Sequence, residues 1–344
     1  MNKEIISKLL SQIKYPGFSR DIVSFGIVKN IQIQNNKVEL ELSINTENNK
    51  IIELIVKQIN EKFNSLNSDY DLNVQILSSE SPQSDKNIDS PLSNIKNIIA
   101  VASGKGGVGK STVSINLASS LSKKWKVGIL DLDIYGPSLP VIAGSFKQPE
   151  MDKNQKLIPI KKFNMELMSF GFINNNNSAT IWRGPMVARL TQQFFNDVLW
   201  GELDYLIIDL PPGTGDIQLT LVQKLQLSGA IIVTTPQDLS LIDAKKAADM
   251  FKKVNTNIIG IIENMSDFCC PNCNVKTKIF PGSGVESESH RLSAPILGKI
   301  SIDPKLAECM DQGIPYIQEY PNSQISIKYD EISNQINNLI SNNN

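Results

Sequence analysis

Ile98-Ile99-Ala100-Val101-Ala102-Ser103-Gly104-Lys105-Gly106-Gly107-Val108-Gly109-Lys110-Ser111-Thr112 is the stretch on which the fold turns. An apolar run of strand character leads into a glycine-rich loop, and Val113, Ile115, Leu117, Ala118 and Leu121 then recur at helical spacing. Strand, glycine loop and helix are the context in which Gly-x4-Gly-Lys-Ser works as a phosphate-binding loop. Gly104, Gly106, Gly107 and Gly109, with Val108 among them, let successive backbone amides turn inward and approach phosphate oxygens. The helix that opens through Ser111 and Thr112 adds its dipole and its unpaired N–H groups. Lys110 is expected to reach the β- and γ-phosphates, and Ser111 to place its hydroxyl on Mg2+. The chain is therefore expected to bind a nucleoside triphosphate.

Outward from the loop, short apolar runs alternate with helical ones. Strands are predicted at 98–102, 127–132, 205–210, 230–234, 258–262 and 296–300. Intervening helices imply βαβ units, and hence an α/β fold with a doubly wound, mostly parallel sheet over 95–344. Tyr205-Leu206-Ile207-Ile208 is continuously apolar, as a strand covered on both faces must be. The stretch 137–180 fits this alternation poorly and reads as an insertion with strands of its own. Upstream, 78–94 is rich in Ser, Asp, Asn and Pro and reads as a linker. Residues 1–77 then form a small α/β domain, with a helix at 4–13, a hairpin turning at Asn35-Asn36, a helix at 51–63 and a strand at 72–77. Gln324 to Ile340 reads as a polar amphipathic helix.

The 344 residues carry a net charge of −1 and are 41% hydrophobic, which gives no bulk attraction to nucleic acid or to acidic membranes. No segment reaches the about 20 apolar residues of a membrane span, and the N-terminus reads as an amphipathic helix. Four cysteines in so long a chain make no disulfide framework. Reduced thiols that hold a metal, in a cytoplasmic setting, are expected.

Two acidic motifs fall where ligands of such a sheet bind, beyond the carboxyl ends of strands. In Leu130-Asp131-Leu132-Asp133-Ile134-Tyr135-Gly136-Pro137-Ser138, Asp133 is placed to orient an attacking water, and Asp131 to hold the water shell of Mg2+. Asp209 ends the apolar run 205–208 and is expected beside Mg2+. After it, Pro211-Pro212-Gly213-Thr214-Gly215-Asp216 offers backbone N–H groups, Gly213's among them, to the γ-phosphate. Asn264, in Glu263-Asn264-Met265, has the paired donor and acceptor that an adenine edge requires.

Cys269, Cys270 and Cys273 crowd together, and Cys270-Pro271-Asn272-Cys273 lets two sulfurs face one ion. One such pair supplies two ligands, whereas zinc and iron–sulfur clusters generally take four. Either two copies of the chain bring two pairs together, or Cys270 and Cys273 recruit His290 and Cys309 into a zinc site.

The loop's second lysine, Lys105, resembles that of the MinD/ParA/nitrogenase-iron-protein class of deviant Walker ATPases. That resemblance implies a lysine that crosses a dimer interface to the partner's nucleotide. Six stretches in series resemble one family more narrowly, the Mrp/ApbC iron–sulfur cluster carriers. They are Gly104 to Thr112, Asp131 to Ser138, Trp182-Arg183-Gly184-Pro185-Met186, Tyr205 to Asp216, Glu263 to Ser266 and Cys270 to Cys273. The resemblance implies ATP hydrolysis by a homodimer and a [4Fe-4S] cluster bridged by Cys270 and Cys273 of both chains. Cluster transfer from assembly scaffolds to recipient apoproteins is implied as well, with Arg183 near the mobile loops. In the N-terminal domain Tyr15-Pro16-Gly17 and Thr46-Glu47-Asn48-Asn49 depart from the family's pattern, which leaves that domain as a docking module.

The rival is a MinD/ParA-like positioning ATPase with a structural zinc site. A membrane version needs a basic amphipathic helix, but Ile325 to Ile340 sets a single lysine, Lys328, against Asp330 and Glu331. A nucleic-acid version needs excess Lys and Arg, and 34 basic residues face 35 acidic ones.

Overall fold

A computed structural model describes residues 3–13, 21–23, 27–34, 37–43, 49–65, 70–77, 92–173, 194–270, 272–273, 275–282 and 284–342. The chain divides into two compact units, Met1–Ile88 and Asp89–Asn344.

In the first unit, helix α1 (Lys3–Leu10) precedes a hairpin of β1 (Val28–Gln34) and β2 (Lys37–Ser43). Helix α2 (Asn49–Asn64) then carries the chain to β3 (Asp71–Leu77), which pairs parallel to β2 with Lys37 opposite Asp71. A parallel neighbour needs such a crossover, since a tight turn returns the chain antiparallel. Val38, Leu40 and Leu42 alternate with charged residues along β2 and are buried. They meet Ile55, Ile59 and Phe63, spaced by four along one face of α2.

The second unit is built on a sheet of nine strands among the described residues. In chain order its elements are β4 (Ile95–Ala102), α3 (Lys110–Leu121), β5 (Val127–Asp131), β6 (Ile160–Lys162) and β7 (Met165–Ser169). There follow β8 (Leu203–Asp209), α4 (Asp216–Gln223), β9 (Gly229–Thr234), α5 (Asp238–Lys253) and β10 (Ile258–Cys269). The last are β11 (Lys276–Thr277), α6 (Glu286–Leu292), β12 (Ile296–Ile302), α7 (Pro304–Gln312) and α8 (Gln324–Ser341). The order across the sheet is β11-β10-β9-β4-β8-β5-β7-β6, with β12 on β10. All pairs are parallel except β6 on β7 and β11 on β10.

Both faces are covered, so the central strands contribute to two cores. Ile99 and Val101 of β4 point into one, with Val113 and Leu117 of α3 and Tyr329, Ile332 and Ile336 of α8. Ile98, Ala100 and Ala102 point into the other, with Leu241, Ala244 and Phe251 of α5. The C-terminal helix thus spends its apolar face inside the fold.

Two differences from expectation bear on the site. Met165–Ser169 is not part of a separate insertion: β7 joins the main sheet, parallel to β5, with Val127 opposite Met165 and Asp131 opposite Ser169. Glu166 interrupts its short apolar run, and the turn before it places Phe163 and Asn164 at positive φ without a glycine to signal it. β10 also runs well past Ile262, through polar residues, to Cys269.

Candidate nucleotide and thiol sites

The strand ends bring the acidic residues to the loop. Asp209 lies opposite Val101 of β4 on one side and opposite Asp131 of β5 on the other. Two carboxylates therefore stand side by side beneath the loop that follows β4.

Gly107 and Gly109 take φ of 81° and 82°, in the left-handed region that favours glycine. Gly109 caps α3 without a side-chain bond, which leaves the first amides of α3 for an anion. Two glycines are also needed for close approach. A Cβ on Gly104 would lie 2.0 Å from the carbonyl carbon of Asp243, and one on Gly109 would lie 2.2 Å from Asn264 Nδ2. Ser103 ties the loop's start, its Oγ donating to the Lys105 carbonyl at 2.9 Å.

Lys110 is 6% exposed and pairs with Asp209 Oδ1 at 2.8 Å, and Asp209 is itself 2% exposed. Ser111 Oγ donates to Asp209 Oδ2 at 2.6 Å, while Lys110 Nζ donates to Ser111 Oγ at 3.3 Å. Ser114 Oγ lies 2.6 Å from Asp209 Oδ1 and 3.0 Å from the Lys110 carbonyl. Ser114 was not expected in the site. Its signal was local: a serine one helical turn past Ser111 faces the same strand end. The next residue of the motif, Thr112, uses its carbonyl to accept Asn116 Nδ2 at 2.9 Å.

Asp131 is 1% exposed, and its oxygens accept from the amide of Asp133 at 2.9 Å, the amide of Leu139 at 3.1 Å and Ser169 Oγ at 3.0 Å. Burial and the neighbouring Asp209 charge push its carboxyl up to about 7, against the bonds from those amides and the charge of Lys110. Ser169 comes from the strand that sequence reading missed. Asp133, half-buried, accepts from the Gly136 amide at 3.1 Å and so closes the turn after β5.

The Pro-Pro-Gly-Thr-Gly turn touches the loop directly: the Gly213 amide, at φ 100°, donates to the Ser103 carbonyl at 3.1 Å. Gln218, 2% exposed on α4, donates to the Pro211 carbonyl and steadies the same turn. Lys105 is half-buried and forms no ion pair among the described residues. Asn264 is brought to the loop rather than standing apart from it: its Nδ2 donates to the Val108 carbonyl at 2.9 Å. Arg183 and the whole of Trp182 to Met186 lie outside the described residues.

The oxygen set of Ser111, Asp131 and Asp209 fits a hard divalent cation such as Mg2+. The same atoms also answer one another: the lysine expected at the phosphates rests on the carboxylate expected at the metal.

The thiols stand at the far end of β10. Cys269 pairs with Lys276 of β11, and the Cys270 amide donates to the Val275 carbonyl at 3.1 Å, closing a hairpin. Cys270 is half-buried and Cys273 exposed, and neither is in a disulfide. The amides of Cys273 and Asn272, with the Cys273 thiol, hydrogen-bond to Cys270 and hold its pKa below the ordinary thiol range. The alternative zinc set does not assemble. Cys309 is buried in the core on α7, and among the described residues no group of three or more His, Cys, Asp or Glu is placed to hold a metal.

Residues 94–337 match the family model of the NUBPL iron-transfer P-loop NTPases, and residues 3–76 match that of an iron-sulfur cluster assembly protein. The chain belongs to the NUBPL iron-transfer P-loop NTPases. Within this family's curated relatives, the iron-sulfur cluster carrier protein of Helicobacter pylori is 40% identical over 327 residues, covering 94% of this chain and 89% of its own. That of Escherichia coli is 43% identical over 247 residues, covering 71% of this chain and 67% of its own. A nucleotide-binding protein from Archaeoglobus fulgidus, solved in complex with ADP, is 39% identical with a TM-score of 0.58, covering 66% of this chain and 90% of its own. The cell division ATPase MinD of Pyrococcus furiosus, at 21% identity and a TM-score of 0.54 over 71% of this chain and 99% of its own, shares the fold. Among the described residues no helix is long and apolar enough to cross a membrane.

Proposed function

We propose that this chain hydrolyses ATP and carries an iron–sulfur cluster as cargo, a [4Fe-4S] cluster held between two copies by Cys270 and Cys273 of each. The observation that carries the reading is the hairpin of β10 and β11. It presents two thiols to one side, one of them exposed and one activated by turn amides, with no third ligand among the described residues. Half of a four-thiolate set per chain calls for a second copy. The relatives' name, iron-sulfur cluster carrier, supports the cargo, and transfer to recipient apoproteins follows from it.

At the other site, the amides of Gly106, Gly107, Val108 and Gly109 and the first amides of α3, through Ser111 and Thr112, cradle the phosphates. Gly104 and Gly109 allow that loop its close packing. Lys110 exchanges Asp209 for the β- and γ-phosphates, and Ser111 and Asp209, with Asp131 through water, would hold Mg2+. The ion supplies charge neutralisation on the phosphates when bound. Asp133 orients the attacking water, Gly213 turns its amide toward the γ-phosphate, and Lys105 reaches the partner's nucleotide. Asn264 serves the nucleotide through the Val108 carbonyl. A membrane-positioning reading finds no support in α8, whose Ile325, Ile332, Ile336 and Ile340 are buried and whose Lys328 pairs with Glu331.

Anaerobic reconstitution with iron and sulfide tests the reading. A brown protein with about four iron atoms per dimer is the expected product. A colourless chain that keeps one zinc as a monomer would end it.

A further inference from the structure

The thiols and the phosphate loop share one strand, and the geometry at its middle is specific. Regular pairing of β10 with β12 stops after Asn264, which lies opposite Ile300, and resumes with Phe268 opposite Ile302. Four steps on β10 face two on β12, so β10 bulges over Met265 to Asp267, where Met265 takes φ of 58°. Bulges of this kind re-aim a strand and gather beside functional sites. The Asp267 carboxylate pins the bulge, accepting from Ser301 Oγ of β12 at 2.8 Å.

Two adjacent residues stand where the bulge begins. Asn264 grips the loop through the Val108 carbonyl, and its amide and the Met265 side chain both lie against Gly109. Glu263, 3% exposed, faces the other way: its Oε2 accepts from the Val285 amide at 3.2 Å and its Oε1 lies 3.5 Å from Lys299 Nζ. Val285 is where the chain comes back after the hairpin. Near that return, Gly282 packs so closely on the strand end after β9 that a Cβ would lie 1.8 Å from the Pro236 carbonyl oxygen. The excursion that carries Cys270 and Cys273 thus follows the bulge that begins after Asn264, and the returning chain is caught again by Glu263. Its outgoing leg starts from the residue that holds the phosphate loop, and its returning leg is held by that residue's neighbour on the strand.

We propose that Asn264 and Glu263 couple the phosphate loop to the thiol hairpin, so that filling the loop with a nucleotide changes the exposure of Cys270 and Cys273. Phosphate binding draws the loop's amides inward. The Val108 carbonyl belongs to the same peptide as the Gly109 amide and turns with it, and the Asn264 bond passes that turn to the bulge. Asn264 is then a positioning residue for the cargo site, six residues from Cys270. The inference rests on the assignment of Cys270 and Cys273 to the cluster for its biological meaning.

The test uses the cluster-free full chain under reducing, anaerobic conditions. Alkylation of Cys270 and Cys273 by iodoacetamide is followed by peptide mass spectrometry without nucleotide, with Mg-ADP and with Mg-ATP, at occupancies checked by equilibrium dialysis. The rates are expected to differ by about fivefold between the empty and the Mg-ATP states. In Asn264→Leu, which keeps the branching of the side chain and removes the donor, the difference is expected to vanish when compared at matched nucleotide occupancy. Should Asn264→Leu fail to retain nucleotide, Glu263→Ala decides, because its side chain is turned from the loop and its loss frees the returning leg. Equal rates in all three states of the wild type overturn the proposal. So does a difference that survives at full size in Asn264→Leu with nucleotide bound, or in Glu263→Ala where that variant decides, as shielding by a second copy would produce. The assay contains no cluster, so its failure leaves the cargo assignment standing, and a chain that binds no cluster leaves the coupling measurable.

Discussion

At the phosphate loop the buried charges answer one another within the chain; at the thiol hairpin, among the described residues, little does. Lys110 and Asp209 are buried against each other, Ser111 and Ser114 fill the remaining oxygens, and Asp131 is fenced by two amides and Ser169. Cys273, by contrast, is exposed, and Cys270 is met, among the described residues, by the amides and thiol of its own turn. The difference teaches where each chemistry is finished. A preassembled loop needs only to exchange protein partners for phosphate and metal, whereas an open pair of sulfurs awaits ligands from elsewhere. The two sites should therefore fail in different ways.

The largest effect expected is all-or-none. Cys270→Ser or Cys273→Ser should abolish cluster retention after reconstitution, read as iron per chain and visible absorbance, and leave ATP affinity unchanged. Wild-type iron content in both variants would remove the thiols from the site. Next comes Lys105→Ala. Its side chain has no ion pair among the described residues, so its removal should spare folding and binding. Turnover should fall by about 1000-fold, the scale of a cation delivered across an interface to a phosphoryl transition state. A rate equal to wild type would confine catalysis to one chain and erase the contrast drawn above.

Lys110→Ala should weaken ATP binding by about 100-fold, as loss of a buried charged hydrogen bond does. It should also harm the empty protein, because Asp209 is left buried and unpaired, at a cost of about 3 kcal/mol. Denaturation of the nucleotide-free chain checks the second part. Stability equal to wild type would show that the Lys110–Asp209 pair carries nothing in the resting state.

What was legible from sequence follows the reach of each interaction. The loop could be read because strand, glycines, lysine and helix are contiguous, and Asp209 because it ends an apolar run that only a buried central strand explains. Partners drawn from afar could not. Asn264 meets a carbonyl 156 residues earlier in the chain, so nothing local in sequence announced its bond to Val108. Ser169 was lost with β7, whose run is broken by Glu166 and whose turn lacks a glycine. The bulge at Met265 to Asp267 left no mark either, because polar residues after Ile262 read as the end of a strand rather than its continuation.

Asp131 gives the smallest effect and the sharpest probe of how self-contained the nucleotide end is. Its carboxyl is pushed up from 3.8 to about 7 by burial and by Asp209. A folded-state value above the unfolded one means that the native chain holds a proton which the unfolded chain has released. Between about pH 4 and pH 7 the native state therefore binds more protons, and unfolding free energy falls as pH rises, by at most about 1.4 kcal/mol per unit. Above that window the penalty is fully present, and below about pH 4 it is gone. Asp131→Asn should flatten this slope in metal-free denaturation at pH 5, 6 and 7. Its absolute stability is the weaker readout, because one of the amides of Asp133 and Leu139 then faces a donor, at a cost of about 1 kcal/mol. An unchanged slope would place the titration elsewhere and leave Asp131 ionised beside Asp209. In that case Lys110 would be shared between two carboxylates, and the nucleotide end would hold a surplus negative charge that only a metal from outside removes, much as the thiols await their own.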